Sequence, residues 1–280
     1  MLLELAGRHP LLRDNITTRS TTHDQLILDA RRLLFASPLD LAVAAATAHT
    51  HAGLAATVLL PESPDVTSYM QRMDLIAALP PDTRVVGSSP GEARSDRSET
   101  LLELALLHPD TADDISERLG RVATRHLGPR DGVRAFKGIG ELLDNAISHG
   151  ASPSGAFIAA QAYSGKTTGY RRLEIAICDT GVGVLEHLRR NPAHSSIATS
   201  AQALERALQP GVSGTPEQRG NGLPDLLKGT SDTAATRLVL RSGNGLLRAG
   251  RHRHASVTRS MLTAAPVRGT WSWLRVSYRS

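Results

Sequence analysis

The sequence predicts a protein of two domains, an α/β module followed by an α+β module, and three observations favour this class. The chain has 280 residues, about twice the length of a typical domain, and 40% of them are hydrophobic. Helical and strand-like apolar runs alternate in the first part of the chain, whereas strand-like runs dominate after residue 155. Residues 80–98 lie between these regions and are rich in proline, glycine and serine, as linkers are.

Composition excludes several classes of function. The net charge of +5 comes from 32 cationic and 27 acidic residues, but the cations are scattered and aromatic residues make up only 3%, so nucleic acid is not expected as a partner. The single cysteine, Cys178, cannot form an intramolecular disulfide or a cysteine-rich zinc site, and it fits a reducing cytoplasm. We expect neither a secretory signal nor a membrane-spanning segment, and therefore a cytoplasmic protein.

The amino-terminal part is expected to form an arm and a small α/β domain. Residues 1–23 are largely polar and irregular and predict a loosely attached arm. Residues 24–79 show the order strand, helix, strand, helix. The first helix is predicted from Leu39 to Ala52 after a helix start at Ser37-Pro38, and the next strand from Ala55 to Leu60.

Residues 99–280 are expected to form a second domain in which two helices pack on a sheet. After a strand at Leu101–Leu107, a first helix ends at Gly128-Pro129 and a second spans about residues 131–149. Apolar residues of the second helix recur every three or four positions, so one stripe must face a sheet. The other predicted strands are Ala156–Tyr163, Leu173–Cys178, Arg237–Arg241, Gly245–Arg248 and Trp271–Val276. The turn Ser242-Gly243-Asn244 is expected to join two of these strands as a hairpin.

The second helix carries a polar stripe formed by Glu141, Asn145 and His149, because four residues advance by slightly more than one helical turn. A carboxylate can orient and deprotonate water, and an amide oxygen one turn away can ligate Mg²⁺. This spacing suits attack of water on a nucleotide. The alternative is the solvated outer face of an amphipathic helix.

A second candidate element, Asp179-Thr-Gly-Val-Gly183, directly follows a predicted strand. A carboxylate at a strand end can accept a hydrogen bond from the exocyclic amine of adenine, and Gly181 and Gly183 let the backbone turn tightly beside a ligand. The alternative is an ordinary turn that ends a strand.

A third element, Gly220-Asn-Gly-Leu-Pro-Asp225, places two glycines before a predicted helix start. Free backbone amides at a helix amino terminus attract phosphate oxygens. The pattern Gly-x-Gly also arises in simple turns, so this motif is informative only in combination with the others.

The three elements in this order resemble the GHKL superfamily of ATP-binding domains, which includes DNA gyrase B subunits, heat-shock-90 chaperones, histidine kinases and anti-sigma-factor serine kinases. A late Gly269-Thr270 before the last strand adds a fourth matching box, and the resemblance covers about residues 98–280. It implies a two-layer α/β sandwich with a mixed sheet and an ATP lid at about 184–219. The chain departs from the family pattern in one place: its second glycine-rich motif, with Gly220 and Gly222, is short and is followed by Pro224.

The resemblance also implies roles for individual residues. Glu141 falls at the position of the general base, and Asn145 at the position of the Mg²⁺ ligand. Asp179 would bind the adenine amine, and Thr270 would support the water bound to adenine. The nucleotide-binding set implied in this way is Asn145, His149, Asp179, Gly181, Gly183, Gly220, Gly222, Leu223 and Thr270.

Residues 24–79 more loosely resemble the STAS domains of anti-sigma-factor antagonists. Their strand and helix order fits, and Phe35-Ala-Ser-Pro38 occupies the loop in which antagonists present a phosphorylatable serine. Ser37 is therefore either a phosphoacceptor or simply the cap of the following helix.

The combined features predict a regulatory protein that binds ATP with Mg²⁺ and hydrolyses it slowly, with Glu141 activating water. Two alternatives stay open: a protein serine kinase of the anti-sigma type, and a module that binds nucleotide without catalysis. A regulatory protein partner is expected, and homodimerisation stays open.

Overall fold

The computed structural model describes residues 1–5, 7, 18–19, 25–88, 99–149, 155–166, 168–212, 227, 234–252 and 255–279. These residues form a mostly parallel sheet and an antiparallel sheet, each of five strands, with helices packed on and between them. The mixed helix and strand content agrees with the predicted class.

The first sheet has the strand order β2-β1-β3-β4-β5. Its strands are β1 (Leu2–Glu4), β2 (Thr18–Arg19), β3 (Gln25–Asp29), β4 (Ala55–Leu59) and β5 (Arg84–Val86). Four of them run parallel, and β2 is antiparallel to β1. The helices between these strands are α1 (Pro38–Thr50), α2 (Pro64–Arg72) and α3 (Leu75–Ala78).

The first sheet extends beyond the range that the sequence predicts. The segment 1–23 was expected to be a loose arm, yet it supplies β1. Leu3 within this strand and Leu5 just after it are each 1% exposed. The segment 80–98 was expected to be a linker, yet it supplies β5, which pairs with β4. Both strands have three residues, which is too short for an alternating pattern to stand out in the sequence.

Helix α1 is buried on all sides, from Pro38 to Ala48. Pro38 occupies its first turn, and the Asp40 carboxylate accepts hydrogen bonds from the Ser37 amide (2.8 Å) and the Ser37 hydroxyl (2.5 Å). Ser37 itself is 0% exposed. The geometry therefore favours the helix-cap interpretation of Ser37 over exposure as a phosphoacceptor.

The second sheet has the strand order β6-β7-β8-β10-β9. Its strands are β6 (Leu101–Leu107), β7 (Ala156–Tyr163), β8 (Tyr170–Asp179), β9 (Ala234–His252) and β10 (Ala255–Arg279). Every neighbouring pair among them is antiparallel. The expected mixed sheet is therefore wrong for this region, because the hairpins β7–β8 and β9–β10 and the β8–β10 contact all reverse direction.

The helices after β6 are α4 (Pro109–Asp144), α5 (Gly183–Arg189) and α6 (Ser200–Ala207), with a 3-10 turn at Pro192–His194. Gly128 interrupts α4 with φ 77° and ψ 167°, so two helices meet where Gly128-Pro129 predicts a break. The second half of α4 continues into a π-helical turn, Asn145–His149.

The second sheet is covered on both faces, and successive residues of β8 show the alternation. Leu173, Ile175 and Ile177 lie in a core with the apolar stripe of α4, whereas Ala176 and Cys178 lie in a second core with α1. Helix α1 is thus sandwiched between the two sheets, which explains why it is apolar on every side.

One expectation about the last third of the chain is corrected by the structure. Ser242-Gly243-Asn244 is not a hairpin, because β9 runs through it and pairs with β10 on both sides, with a bulge between Leu262 and Thr270. The described part of the expected lid, residues 184–212, contains packed helices in which Leu188 and Leu204 are buried. Residues 213–219 lie outside the described residues.

Candidate functional site

Three polar residues form a row across one end of the second sheet. Asp179 ends β8, and Thr270 lies beside it on β10, one residue before the Trp271–Cys178 pair. Ser242 of β9 is directly opposite Thr270. Because side chains alternate along strands, these three face the same side as Ile177 and Leu240, which is the side covered by α4 and α6.

Asp179 is only 4% exposed, and this burial raises its pKa from 3.8 to about 6. Hydrogen bonds from the backbone amides of Gly181 and Thr270 and from the Thr270 hydroxyl act in the opposite direction. The Gly181 amide lies 2.9 Å from Asp179 Oδ1. Asp179 is thus a carboxyl group held in fixed orientation, with a proton affinity that lets it titrate just below neutral pH.

Two glycines allow the backbone to pass closely by Asp179 and Ser242. A Cβ on Gly269 would lie 2.1 Å from the Asp179 carbonyl oxygen and 2.6 Å from Oδ1, and the φ of Gly269 is +72°. Gly183 has φ +79°, and a Cβ there would lie 2.7 Å from the Ser242 hydroxyl. Only glycine fits both positions without displacing its neighbours.

Ser242 ties the turn after Asp179 to the end of the sheet. Its hydroxyl donates to the Gly269 carbonyl at 2.8 Å and accepts from the Val184 amide at 2.9 Å. The Thr270 hydroxyl lies 3.4 Å from the same oxygen. Sequence analysis missed Ser242, because it was assigned to a hairpin turn. No local signal reveals it, because residues 238–242 are all buried without alternation and Ser242-Gly243-Asn244 has the composition of a turn.

The polar stripe of α4 lies on the same side of the sheet. Its buried neighbours Ile139, Leu142 and Leu143 belong to the core that also contains Ile177 of β8, whereas Glu141 and Asn145 are half-buried at the edge of that core. The backbone N–H of Asn145 donates a hydrogen bond to the backbone carbonyl of Glu141. The π-helical turn that begins at Asn145 packs against β8. Such widened turns are frequent where a helix presents functional side chains.

The structure therefore brings together four of the predicted residues, Asp179, Gly181, Gly183 and Thr270, in one hydrogen-bonded end of the sheet. It places two more, Glu141 and Asn145, on the helix that covers this face. The backbone of His149 belongs to the π-helical turn, but its side chain lies outside the described residues, as do Gly220, Gly222 and Leu223.

The donor set suits a magnesium ion that is shared with phosphates. Asn145 offers one hard amide oxygen, and Glu141 a carboxylate one turn away on the same helix. Within the described ranges, no three His, Cys, Asp or Glu side chains cluster as a metal site.

In the described part of the chain, no helix combines the length and the apolar character needed to cross a membrane. A scan of protein-family models and a search of curated proteins both found no match to this chain.

Proposed function

We propose that this protein binds ATP with Mg²⁺ between the second sheet and α4, and that it hydrolyses ATP slowly as a regulatory protein. The observation that carries the proposal is the buried Asp179, held by Gly181 and Thr270 on the sheet face that α4 covers. A nucleotide base can be recognised there by one buried carboxylate, and phosphates can extend toward the polar stripe of the helix.

In this proposal Asp179 accepts a hydrogen bond from the exocyclic amine of adenine. Its burial makes that bond specific, because a base with a carbonyl at the same position would place two acceptors against each other in a site of low polarity. Gly183 and Gly269 carry no side chain, which allows the turn after Asp179 to pack closely against the end of the sheet.

Glu141 is the proposed general base, which orients a water molecule and takes its proton as the water attacks the terminal phosphorus. Asn145 would hold Mg²⁺, which supplies neutralisation of the phosphate charge when it is bound. Both side chains lie one turn apart at the edge of the core, where helix α4 fixes their backbone positions.

A regulatory role is supported by the packing of the amino-terminal region. Helix α1 lies against β7 and β8 on the face opposite to Asp179, and the His49 and Phe157 rings are 4.7 Å apart in this contact. A nucleotide that shifts the end of β8 would therefore act directly on α1. The partner that reads this change is proposed to be a regulatory protein.

The test measures phosphate release from ATP with Mg²⁺ and nucleotide affinity for the wild type, Glu141→Ala and Glu117→Ala. Glu117 is an exposed carboxylate in the first half of the same helix and serves as the matched control. The proposal expects release to vanish in Glu141→Ala while ATP binding persists, and to be unchanged in Glu117→Ala.

Other results of this test have definite meanings. Unchanged release in Glu141→Ala would overturn the assignment of the base. Binding without release in the wild type would contradict hydrolysis and direct attention to transfer of the phosphoryl group to a protein hydroxyl. Absence of binding in the wild type would overturn the proposal as a whole.

A further inference from the structure

A cavity of about 660 Å³ lies at the end of the second sheet opposite to Asp179. It is formed where β8 begins, at Tyr170 and Arg172, and where β10 ends, at Arg275 and Ser277. Ten residues of β8 connect this end to Asp179, which corresponds to about 30 Å of strand. The two sites are therefore separate.

The cavity wall is strongly basic. The described residues that line it include four arginines and one histidine, and none of these described residues is acidic. These cationic residues are Arg172, Arg237, Arg251, His252 and Arg275. A concave site with one sign of charge concentrates the field and attracts small ions of the opposite charge.

The strand register brings three of these arginines side by side. Arg275 of β10 is directly opposite Arg237 of β9, and Arg172 of β8 is opposite Ser277, two residues further along β10. Like charges directly opposite each other destabilise a sheet. Glu174 of β8 is opposite Arg275 on its other side, so one buried carboxylate shares this sheet face with the three arginines.

Two of the guanidinium groups lie over aromatic rings at cation–π distance. The guanidinium carbon of Arg172 lies 5.3 Å from the centre of the Tyr163 ring, and that of Arg275 lies 5.3 Å from the Trp273 ring. The buried Nε of Arg172 makes no hydrogen bond within the described residues. Stacked guanidinium groups lose little freedom when they bind an anion, because the ring already fixes their plane.

The last residues of β9 form another side of the cavity. A Cβ on Gly250 would lie 3.4 Å from the Thr236 carbonyl oxygen and 3.9 Å from Cγ of Arg237. The end of β9 thus approaches its own start, and it contributes Arg251 and His252 to the lining. The bulge between Leu262 and Thr270 accompanies this fold.

We propose that this cavity binds a small anion with two or more phosphate groups, and that it is a ligand site separate from the nucleotide site at Asp179. Arginine binds phosphate with two parallel hydrogen bonds, and several arginines around one concave space favour a compact multivalent anion. The volume lies within the range of small-molecule sites. A long nucleic acid would need an open track, whereas these arginines converge on one hollow.

The experiment is a calorimetric titration of the full chain with sodium pyrophosphate at fixed ionic strength. The variants are Arg237→Ala and Arg172→Ala, with Arg259→Ala as the control, because Arg259 is an exposed arginine of β10 that does not line the cavity. We expect saturable binding that is weakened about tenfold or more in each cavity variant and is unchanged in the control. Equal affinity in all four proteins, or no saturable binding in the wild type, would overturn the proposal.

Three further measurements keep this result interpretable. Arg237 is exposed, so its variant should retain the wild-type melting temperature and show that lost binding is not lost folding. Pyrophosphate binding should persist in Asp179→Asn, and its loss there would contradict a separate site. A single-stranded DNA of 20 nucleotides is titrated in parallel, and a DNA affinity that exceeds that of pyrophosphate and depends on the same arginines would also overturn the proposal.

Discussion

The hydroxyl of Ser242 donates a hydrogen bond to the carbonyl oxygen of Gly269, at 2.8 Å, across the ladder between β9 and β10. The Ser242 hydroxyl oxygen also accepts a hydrogen bond from the backbone amide of Val184, in the first turn of α5. One buried side chain therefore fixes both the backbone that passes Asp179 and the helix that follows it. This relationship joins the end of the sheet into one structural unit.

Replacing Ser242 with alanine should destabilise the protein by about 1–3 kcal/mol, because the buried Gly269 carbonyl and the half-buried Val184 amide then lose a partner. Urea denaturation measures the change. Ser256→Ala is the control, because Ser256 is an exposed serine of β10. Equal stability of Ser242→Ala and the wild type would show that this hydroxyl does not hold the turn.

Gly269→Ala should be more damaging than an ordinary glycine substitution. The new Cβ would lie 2.1 Å from the Asp179 carbonyl oxygen, in addition to the strain of a positive φ. We expect a loss of more than about 2 kcal/mol in the free energy of unfolding, together with lost ATP binding.

Gly211→Ala separates the two causes in that experiment. Gly211 has φ +75°, close to that of Gly269, but nothing lies within 4 Å of its Cβ position. It should therefore report the cost of the backbone conformation alone. Similar losses of stability in the two variants would argue against close packing at Asp179.

The raised pKa of Asp179 predicts how stability depends on pH. Because burial raises this pKa from 3.8 to about 6, the folded protein binds the proton more tightly than the unfolded chain does. The contribution of Asp179 to the free energy of unfolding is therefore fully present below about pH 4 and is lost as pH rises through 6. Relative to Asp179→Asn, the wild type should lose up to about 3 kcal/mol between pH 4 and pH 7.

Denaturation curves of the two proteins, recorded at several pH values, measure this difference. Parallel curves across the range would contradict a buried, titrating carboxyl group. If Asp179 binds adenine in its ionised form, ATP affinity of the wild type should also fall as pH drops below 6.

The two sheets should unfold as one unit, because half-buried ion pairs join them. Glu103 of β6 bonds to Arg72 of α2 at 3.1 Å and to Arg118 of α4 at 2.7 Å. Glu103→Gln should lower the free energy of unfolding by about 1–3 kcal/mol and keep a single transition. Glu117→Gln removes only an exposed pair with Arg121 and should change stability very little. Two separate transitions in the wild type would contradict this coupling.

Much of the fold follows from local sequence signals. The break at Gly128-Pro129 and strands β6, β7 and β8 are confirmed, because each has either a strong stop signal or a sustained apolar pattern. β1 and β5 were not predicted, since their place in the sheet depends on pairing with distant strands.

The candidate site was only partly accessible to sequence reasoning. Asp179, Glu141 and Thr270 stand in short motifs, whereas Ser242 acquires its role only through the register of β9 against β10. Gly243-Asn-Gly245 was interpreted as a turn, but these glycines instead allow the first residue of α6 to pack directly against β9. A Cβ on Gly245 would lie 2.7 Å from the Ser200 carbonyl carbon. Such close approaches depend on tertiary packing.

The central claim is that Asp179 recognises an adenine nucleotide, and its most direct test is a calorimetric titration of ATP with Mg²⁺ at pH 7.5 into the wild type and Asp179→Asn. We expect the wild type to bind one ATP per chain saturably and to prefer ATP over GTP, and we expect Asp179→Asn to bind neither nucleotide while its melting temperature at pH 7.5 is no lower than that of the wild type. ATP binding that is absent from the wild type, or equally strong in Asp179→Asn, would contradict it.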